Sequence, residues 1–247
     1  MADVGSEVRY WRHRSFGFWF LHIGAPVMLL GAALAAGYMG GELKRIVLDS
    51  HTSIRESVTG ALTLSAAVIV ALILVRAAQP LEWQLKVWLG LFIAAMIFFA
   101  GEDLNWGQHY LGWTPPDYFL EHNHENEGNL HNTWPLLFNR LPRGIVNAWL
   151  IVACILVPLG WRYPVRLLQS VVPPVLWPDR RLMFPAALVF ATKGIRHLAS
   201  GGAGGDHWLL AIRHSELEEL IIACVLVLYA LMLWERLVRR GDVAVAA

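Results

Sequence analysis

From Ser15 to Gly41 the chain carries no Asp, Glu, Lys or Arg. A run of that length is enough for one helix to cross the hydrocarbon core of a bilayer, which takes about 20 residues at roughly 1.5 Å each. Inside lipid the backbone must pair its own N–H and C=O groups, so such a segment is restricted to a helix. Apolar runs recur at Ser57–Val75, Val87–Gly101, Gly144–Trp161, Leu182–Thr192 and Leu220–Trp234. With 56% hydrophobic and 16% charged residues among 247, the composition departs from that of a soluble domain. The expected fold is all-α, a single integral membrane domain over residues 1–247 built as a polytopic helix bundle. About six transmembrane helices are expected, near 16–40, 57–76, 84–106, 144–162, 182–200 and 216–236. The first run has the cleavage-like Ala33-Leu34-Ala35 of a signal peptide, but its length and aromatic content favour a retained helix.

Six spans place both termini on one side. Putting the N-terminus inside collects 12 of the 20 Lys and Arg residues there, including Arg9, Arg12 and Arg14 at one end of the chain and Arg236, Arg239 and Arg240 at the other. Basic residues favour the inner face, so N-in/C-in is expected. Eight of the ten histidines then fall on the outer side. The net charge of +1 and the lack of a basic tract argue against nucleic acid as a partner. Cys154 and Cys224 each sit within an apolar run and read as packing thiols.

The uncharged cores of the third, fifth and sixth helices count only 15, 11 and 15 residues, and each runs short at its outer end. We expect a polar pocket there, open to the outer side, into which Glu102, Asp103, Lys193, Arg196, His197 and Glu219 project. Ionisable groups at membrane depth are costly and mark functional positions. If the third helix continues past Gly101, Glu102, Trp106 and His109 share one face. Thr114-Pro115-Pro116 then ends it. Downstream, Glu121 and His124 form a Glu-x-x-His pair, and Glu127 and His131 are four apart. Imidazole with carboxylate suits zinc, iron or manganese, and Asn at 123, 126, 129 and 132 suits the orienting of such ligands. The expected ligands of a divalent metal are Glu102, Glu127, His131 and His214. Catalytic acid–base work is expected of Glu102, Asp103 and Glu219. Substrate contacts are expected from Gln108, Asn129 and Asn132, with Lys193 and Arg196 receiving an anionic headgroup. The plainer alternatives are structural ion pairs between these acids and Lys193 or Arg196, and a solvated loop over residues 121–132. Ser215 with Glu218 reads as a capping box opening the last helix.

Residues 101–132 resemble an uncharacterised family of bacterial polytopic membrane proteins. That family carries a Glu-(Glu/Asp)-x-x-Trp-Gly-Gln-x-x-x-Gly block with Thr-Pro, then Asn-x-x-x-Glu-x-Asn-Leu-His-Asn. The first block is matched by Glu102, Asp103, Trp106, Gly107, Gln108, Gly112, Thr114 and Pro115. The second is matched by Asn123, Glu127, Asn129, Leu130, His131 and Asn132. His109 stands where the family pattern has a basic residue such as Arg. The resemblance implies no activity, but it does imply a bacterial inner (plasma) membrane, with the polar site facing the outer, periplasmic side. It also implies a ranking that places Glu102, Gln108, Glu127, Asn129, His131 and Asn132 ahead of Glu121, His122 and His124.

The leading functional expectation is a membrane-embedded, metal-dependent hydrolase acting on a lipid or other amphiphile. Two alternatives use the same residues: an accessory or assembly subunit that docks a protein partner, and a cation- or proton-coupled transporter.

Overall fold

In the computed structural model the described residues are 16–123, 125–202 and 208–239, the side chains at 196–202, 210 and 211 excepted. All regular structure among them is helical. The elements that position the site are α1 (Phe16–Met39), α2 (Ile54–Arg76), α3 (Trp83–Asp103), α4 (Asp117–His122), the single turn α5 (Leu130–Thr133), α6 (136–156), α7 (Met183–Gly202) and α8 (His214–Arg239), with further helical segments at 41–49 and Tyr163–Leu168. Four helical runs are long and apolar enough to cross a membrane: Phe16–Met39, Gly41–Arg76, Trp83–Asp103 and His214–Arg239. The chain is built as an integral membrane protein. The second of these runs is interrupted at 50–53, where Ser53 caps α2 by accepting the Glu56 N–H at 3.3 Å. The run expected as the fourth span, 144–162, is helical only as far as Leu156, in a helix that begins at 136 and so takes in Asn139, Arg140 and Arg143; the run expected as the fifth is helical but carries Lys193 and Arg196, and neither is among the four.

The core is organised around α8, whose Leu217, Ile221, Val225, Met232 and Leu233 are fully buried. A helix apolar on all sides belongs at the centre of a bundle. Beside it lies α2, running in the same direction: Arg55 pairs with Glu216 near one end, and Ala78 N–H reaches Leu237 O at 3.3 Å at the other. The buried stripe of α2 is made of small residues along one face, Thr59, Gly60, Thr63, Ala66, Ala67 and Val70, with 59, 63, 66 and 70 four, three and four residues apart. Small residues let helices approach closely where lipid gives no hydrophobic drive to associate. The two threonine hydroxyls donate to carbonyls one turn back, Thr59 to Arg55 O and Thr63 to Thr59 O, so neither is orphaned.

One end of the bundle is tied by Asp179. Arg181 grips both of its carboxylate oxygens at 2.7–3.0 Å, Arg236 reaches it at 3.0 Å, and Arg181 also pairs with Glu235. Burial alone would raise the Asp179 carboxyl, but the hydrogen bonds and charge of Arg181 hold it below the ordinary range. Cys154 and Cys224 are buried and unbonded in the apolar interior.

At the opposite end the chain departs from the expected span 84–106. Helix α3 stops at Asp103, and Asn105, Trp106 and Gly107 follow with φ of 48°, 52° and 80°. Three successive left-handed residues redirect the chain, so the described residues of 104–135 fold as a cap over the bundle end. A second expectation also fails. The residue before α8 is Arg213, with no side-chain cap. The helix already includes Ser215, and Glu218 pairs with Lys193 at 3.5 Å.

Candidate functional site

The cap is assembled from α3 outward. After this change of direction, the Trp106 ring lies back over Gly101, where a Cβ would meet it at 2.7 Å, and its Nε1 donates to Glu102 Oε1 at 2.8 Å. Glu102 Oε2 accepts the backbone N–H groups of Leu130 and His131 at 2.8 and 2.7 Å, with His131 Nδ1 at 3.4 Å. A carboxylate from α3 thus supplies the acceptor that the start of α5 needs.

Gln108 clamps the loop opposite, donating to Asn126 O at 3.2 Å and accepting the Gly128 N–H at 2.8 Å. Gly128 is obligatory there, because a Cβ would meet the Trp113 ring at 2.3 Å. The asparagines at intervals of three have different tasks. Asn123 donates to Asn129 Oδ1 at 2.9 Å and receives the Glu125 N–H at the same distance. Asn126 takes a left-handed turn at φ 55°. Asn129, wholly buried, caps α5 through the Asn132 N–H at 3.2 Å, and donates to Asn105 Oδ1 and to Glu127 Oε2. Asn132 donates to Glu127 Oε2 at 3.1 Å.

Glu127 is the focus of this network. On Oε1 it receives Asn105 Nδ2 at 2.9 Å and faces His51 Nδ1 at 2.9 Å and His109 Nε2 at 3.2 Å. The rings of His51 and His109 stack with centroids 4.7 Å apart.

Two cavities meet beneath the cap. One, of about 340 Å³, is walled mainly by Phe98, Phe99, Phe138, Val146, Ile222 and Leu226, with exposed Ala95 also lining it. The other, of about 320 Å³, is polar and bounded by residues that include His51, Arg55, Glu56, Glu127 and Asn132. Asp103, His131, Asn139, Arg143 and Glu219 line both, and so form a neck between them. In the neck Arg143 pairs with Glu219. The polar cavity also collects buried atoms that make no hydrogen bond within the described protein: Asp103 Oδ2, Glu56 Oε2 and Arg55 Nε. Asn147 Oδ1 and His214 Nδ1 are in the same state but line neither cavity, so an unpaired buried atom calls for an explanation without by itself marking a ligand. Seven carboxylates line the polar cavity against three guanidinium groups. Each arginine already has an acidic partner: Arg55 with Glu56 and Glu216, Arg143 with Glu219, and Arg213 with Glu216.

The expected site residues therefore separate. Asp103, Glu219 and His131 stand in the neck, and Glu127 and Asn132 on the wall of the polar cavity. Glu102 reaches the apolar cavity, but both oxygens are engaged in holding the cap together. Gln108 and Asn129 are likewise taken up by the cap. His214 is buried at the start of α8, with Nε2 at 2.7 Å from Leu209 O, and lines neither cavity. It is not brought to Glu102 or Glu127 as a common ligand set. Lys193 turns to Glu218 and the Phe190 ring, away from both cavities; the side chains of Arg196 and His197 lie outside the described residues. Of the Glu-x-x-His pair, His124 is outside them too, and Glu121 is exposed.

The sequence reading missed His51, Arg55, Asn105, Asn139 and Arg143. Only His51 had a signal, its place among the histidines of one side. No protein-family model, no curated protein and no solved structure matches the chain.

Proposed function

We propose that this chain is a membrane-embedded hydrolase acting on a lipid or other amphiphile from the outer side of a bacterial inner membrane. The observation that carries the reading is the junction of an apolar cavity with a polar one through a neck of ionisable side chains. An amphiphile fits that division, with its hydrocarbon part beside Phe98, Phe138 and Leu226 and its head beneath the cap. Each cavity falls in the size range of small-molecule sites. The bond to be cleaved would then lie in the neck. Asp103, with one oxygen unengaged, is placed to take or give a proton. Arg143 is placed to offset negative charge developing on the substrate. A divalent metal beside the head would activate the attacking water.

Glu56, Glu216 and Glu219 pair with the three arginines of the polar cavity and Asp49 with Lys44, so none of its arginines is left for a bare phosphate, and a neutral head such as a polyol is favoured. This replaces the anionic headgroup expected on Lys193 and Arg196. The test is to incubate the purified chain with a bacterial membrane lipid extract in micelles and follow the extract by mass spectrometry. One amphiphile should decline while its two hydrolysis products rise. Asp103→Asn should abolish the change by removing the proton carrier, and Ala95→Trp by filling the apolar cavity. A lipid profile left unaltered by wild-type protein sinks the hydrolase reading.

One observation favours a second reading, an accessory subunit docking a protein partner: Glu102, Gln108, Asn123 and Asn129 are all engaged in shaping the cap. A stoichiometric partner that co-purifies, in a preparation with no lipid turnover, would select it.

A further inference from the structure

Glu127 is only 3% exposed, and among the described residues no lysine or arginine pairs with it. A buried carboxylate needs a compensating charge, and here the groups facing it are two imidazoles. His51 comes from the turn before α2, His109 from the turn after α3, and Glu127 from the cap loop, so the three meet only in the folded chain. Their ligand atoms, His51 Nδ1, His109 Nε2 and Glu127 Oε1, all lie within 4.8 Å of one another, and two of the three separations are 2.9 and 3.2 Å. A metal bound at about 2.0–2.2 Å by tetrahedrally disposed ligands holds them about 3.3 Å apart. The spacing is therefore near that of a formed site before any ion enters.

The surroundings also suit a ligand set. Asn105 donates to Oε1, and Asn129 and Asn132 donate to Oε2, so the carboxylate is held against rotation. Fixed carboxylate ligands are held by donors of this kind. His51 and Glu127 line the polar cavity, so positions left open on the ion would face the space assigned above to the amphiphile's head.

We propose that His51 Nδ1, His109 Nε2 and Glu127 Oε1 bind one divalent transition-metal ion. Two imidazoles and one carboxylate with open positions is a ligand set of catalytic zinc and of mononuclear iron(II). This set differs from the Glu102, Glu127, His131 and His214 expected from sequence, and shares with it only Glu127. The ion would stand beside the polar cavity rather than in the neck. Its binding does not depend on what the apolar cavity takes.

The test uses the full chain in detergent micelles, stripped by a chelator and then titrated with Zn²⁺ against a chromophoric competitor, and separately with Co²⁺. Wild type should take up one equivalent of Zn²⁺ and give a Co²⁺ visible spectrum of mixed nitrogen and oxygen ligation. His51→Ala and His109→Ala should each weaken Zn²⁺ by at least about tenfold, whereas exposed His122→Ala should not. Both histidines are partly exposed, so these variants should keep the wild-type melting profile. They carry the test even where Glu127→Gln fails to fold. Absence of stoichiometric Zn²⁺ from wild type, or unchanged affinity in both histidine variants, overturns the proposal. Neither outcome depends on lipid turnover, so the site and the hydrolase reading stand or fall separately.

Discussion

Asn126 and Asn129 are the same residue type three positions apart in one loop, and the structure assigns them opposite sensitivities. Asn129 has no exposed surface and uses both ends of its amide. Replacing it by Ala removes the cap on α5, which is worth about 1 kcal/mol. It removes a donor at 2.8 Å from the Glu127 carboxylate, and hydrogen bonds to charged groups are worth about 1.5–3 kcal/mol. It also leaves Asn105 Oδ1 without that donor inside the cap, at a cost of about 1–3 kcal/mol. Asn123 loses less, because its amide still reaches Asn129 O and Thr133 Oγ1. The sum is about 5 kcal/mol, and a chain of this size shifts its melting temperature by roughly 2–4 °C per kcal/mol. Asn129→Ala should therefore melt about 10–20 °C below wild type. Asn126 is exposed and contributes a left-handed backbone and a carbonyl to Gln108. Glycine adopts that conformation freely, so Asn126→Gly should stay within about 0.5 kcal/mol of wild type.

The assay is intrinsic tryptophan fluorescence during thermal unfolding in micelles, with limited proteolysis of residues 104–135 to detect a cap that opens alone. Asn129→Asp separates the contributions. It keeps the shape and can still cap α5, but sets a second carboxylate against Glu127. It should not rescue, and should be at least as unstable as Asn129→Ala at neutral pH. Equal melting of Asn129→Ala and Asn126→Gly, together with equal protease resistance, would refute the reasoning.

Gly128→Ala should destabilise the cap by about 1–3 kcal/mol, since the new Cβ meets the Trp113 ring at 2.3 Å; thermal melts should show partial recovery when Trp113→Ala is added. Arg143→Ala strands Glu219 in the neck and should cost about 1–3 kcal/mol, less than the 3–5 typical of fully buried pairs, while the double change Arg143→Met with Glu219→Leu should melt closer to wild type. Asp179, whose carboxyl is held below its ordinary 3.8, contributes stability that is complete above that value and is lost as pH falls through the lower folded value. The melting difference between wild type and Asp179→Asn should therefore be constant above about pH 4 and shrink in stronger acid.

The bundle was legible because uncharged runs in a chain of this composition leave few alternatives to spanning helices. The end of α3 was not. Helical spacing carried the reading through Trp106, whereas the chain places Asn105 and Trp106 at positive φ, a conformation to which a bulky indole gives no local clue. Capping patterns misled for a related reason. Ser53 and Glu56 have the same Ser-x-x-Glu spacing as Ser215 and Glu218, yet only Ser53 lies outside its helix, where its hydroxyl can reach a free N–H. Within the candidate site, Glu127, His131 and Asp103 stood out through their density in one stretch. Arg55, Arg143 and His51 come from other segments, and what qualifies them is the tertiary contact each makes.

A cap at a membrane surface must satisfy its own polar groups before it can do anything else, and that requirement sorts the residues of this one. Glu102, Gln108, Asn123 and Asn129 each have their hydrogen-bonding capacity matched by named partners in the cap, so substituting them should act first on stability. Asp103 Oδ2, Glu56 Oε2 and Arg55 Nε are buried without such partners, and His51 and His109 face Glu127 with no cation of fixed charge between them. Folding explains the first group and leaves the second unexplained. These groups border the polar cavity or stand against its Glu127 wall, whereas Asn147 Oδ1 and His214 Nδ1, also buried without a partner among the described residues, line neither cavity. Under the proposed function, the chemical emphasis moves from Glu102 to Asp103 and to the imidazoles around Glu127.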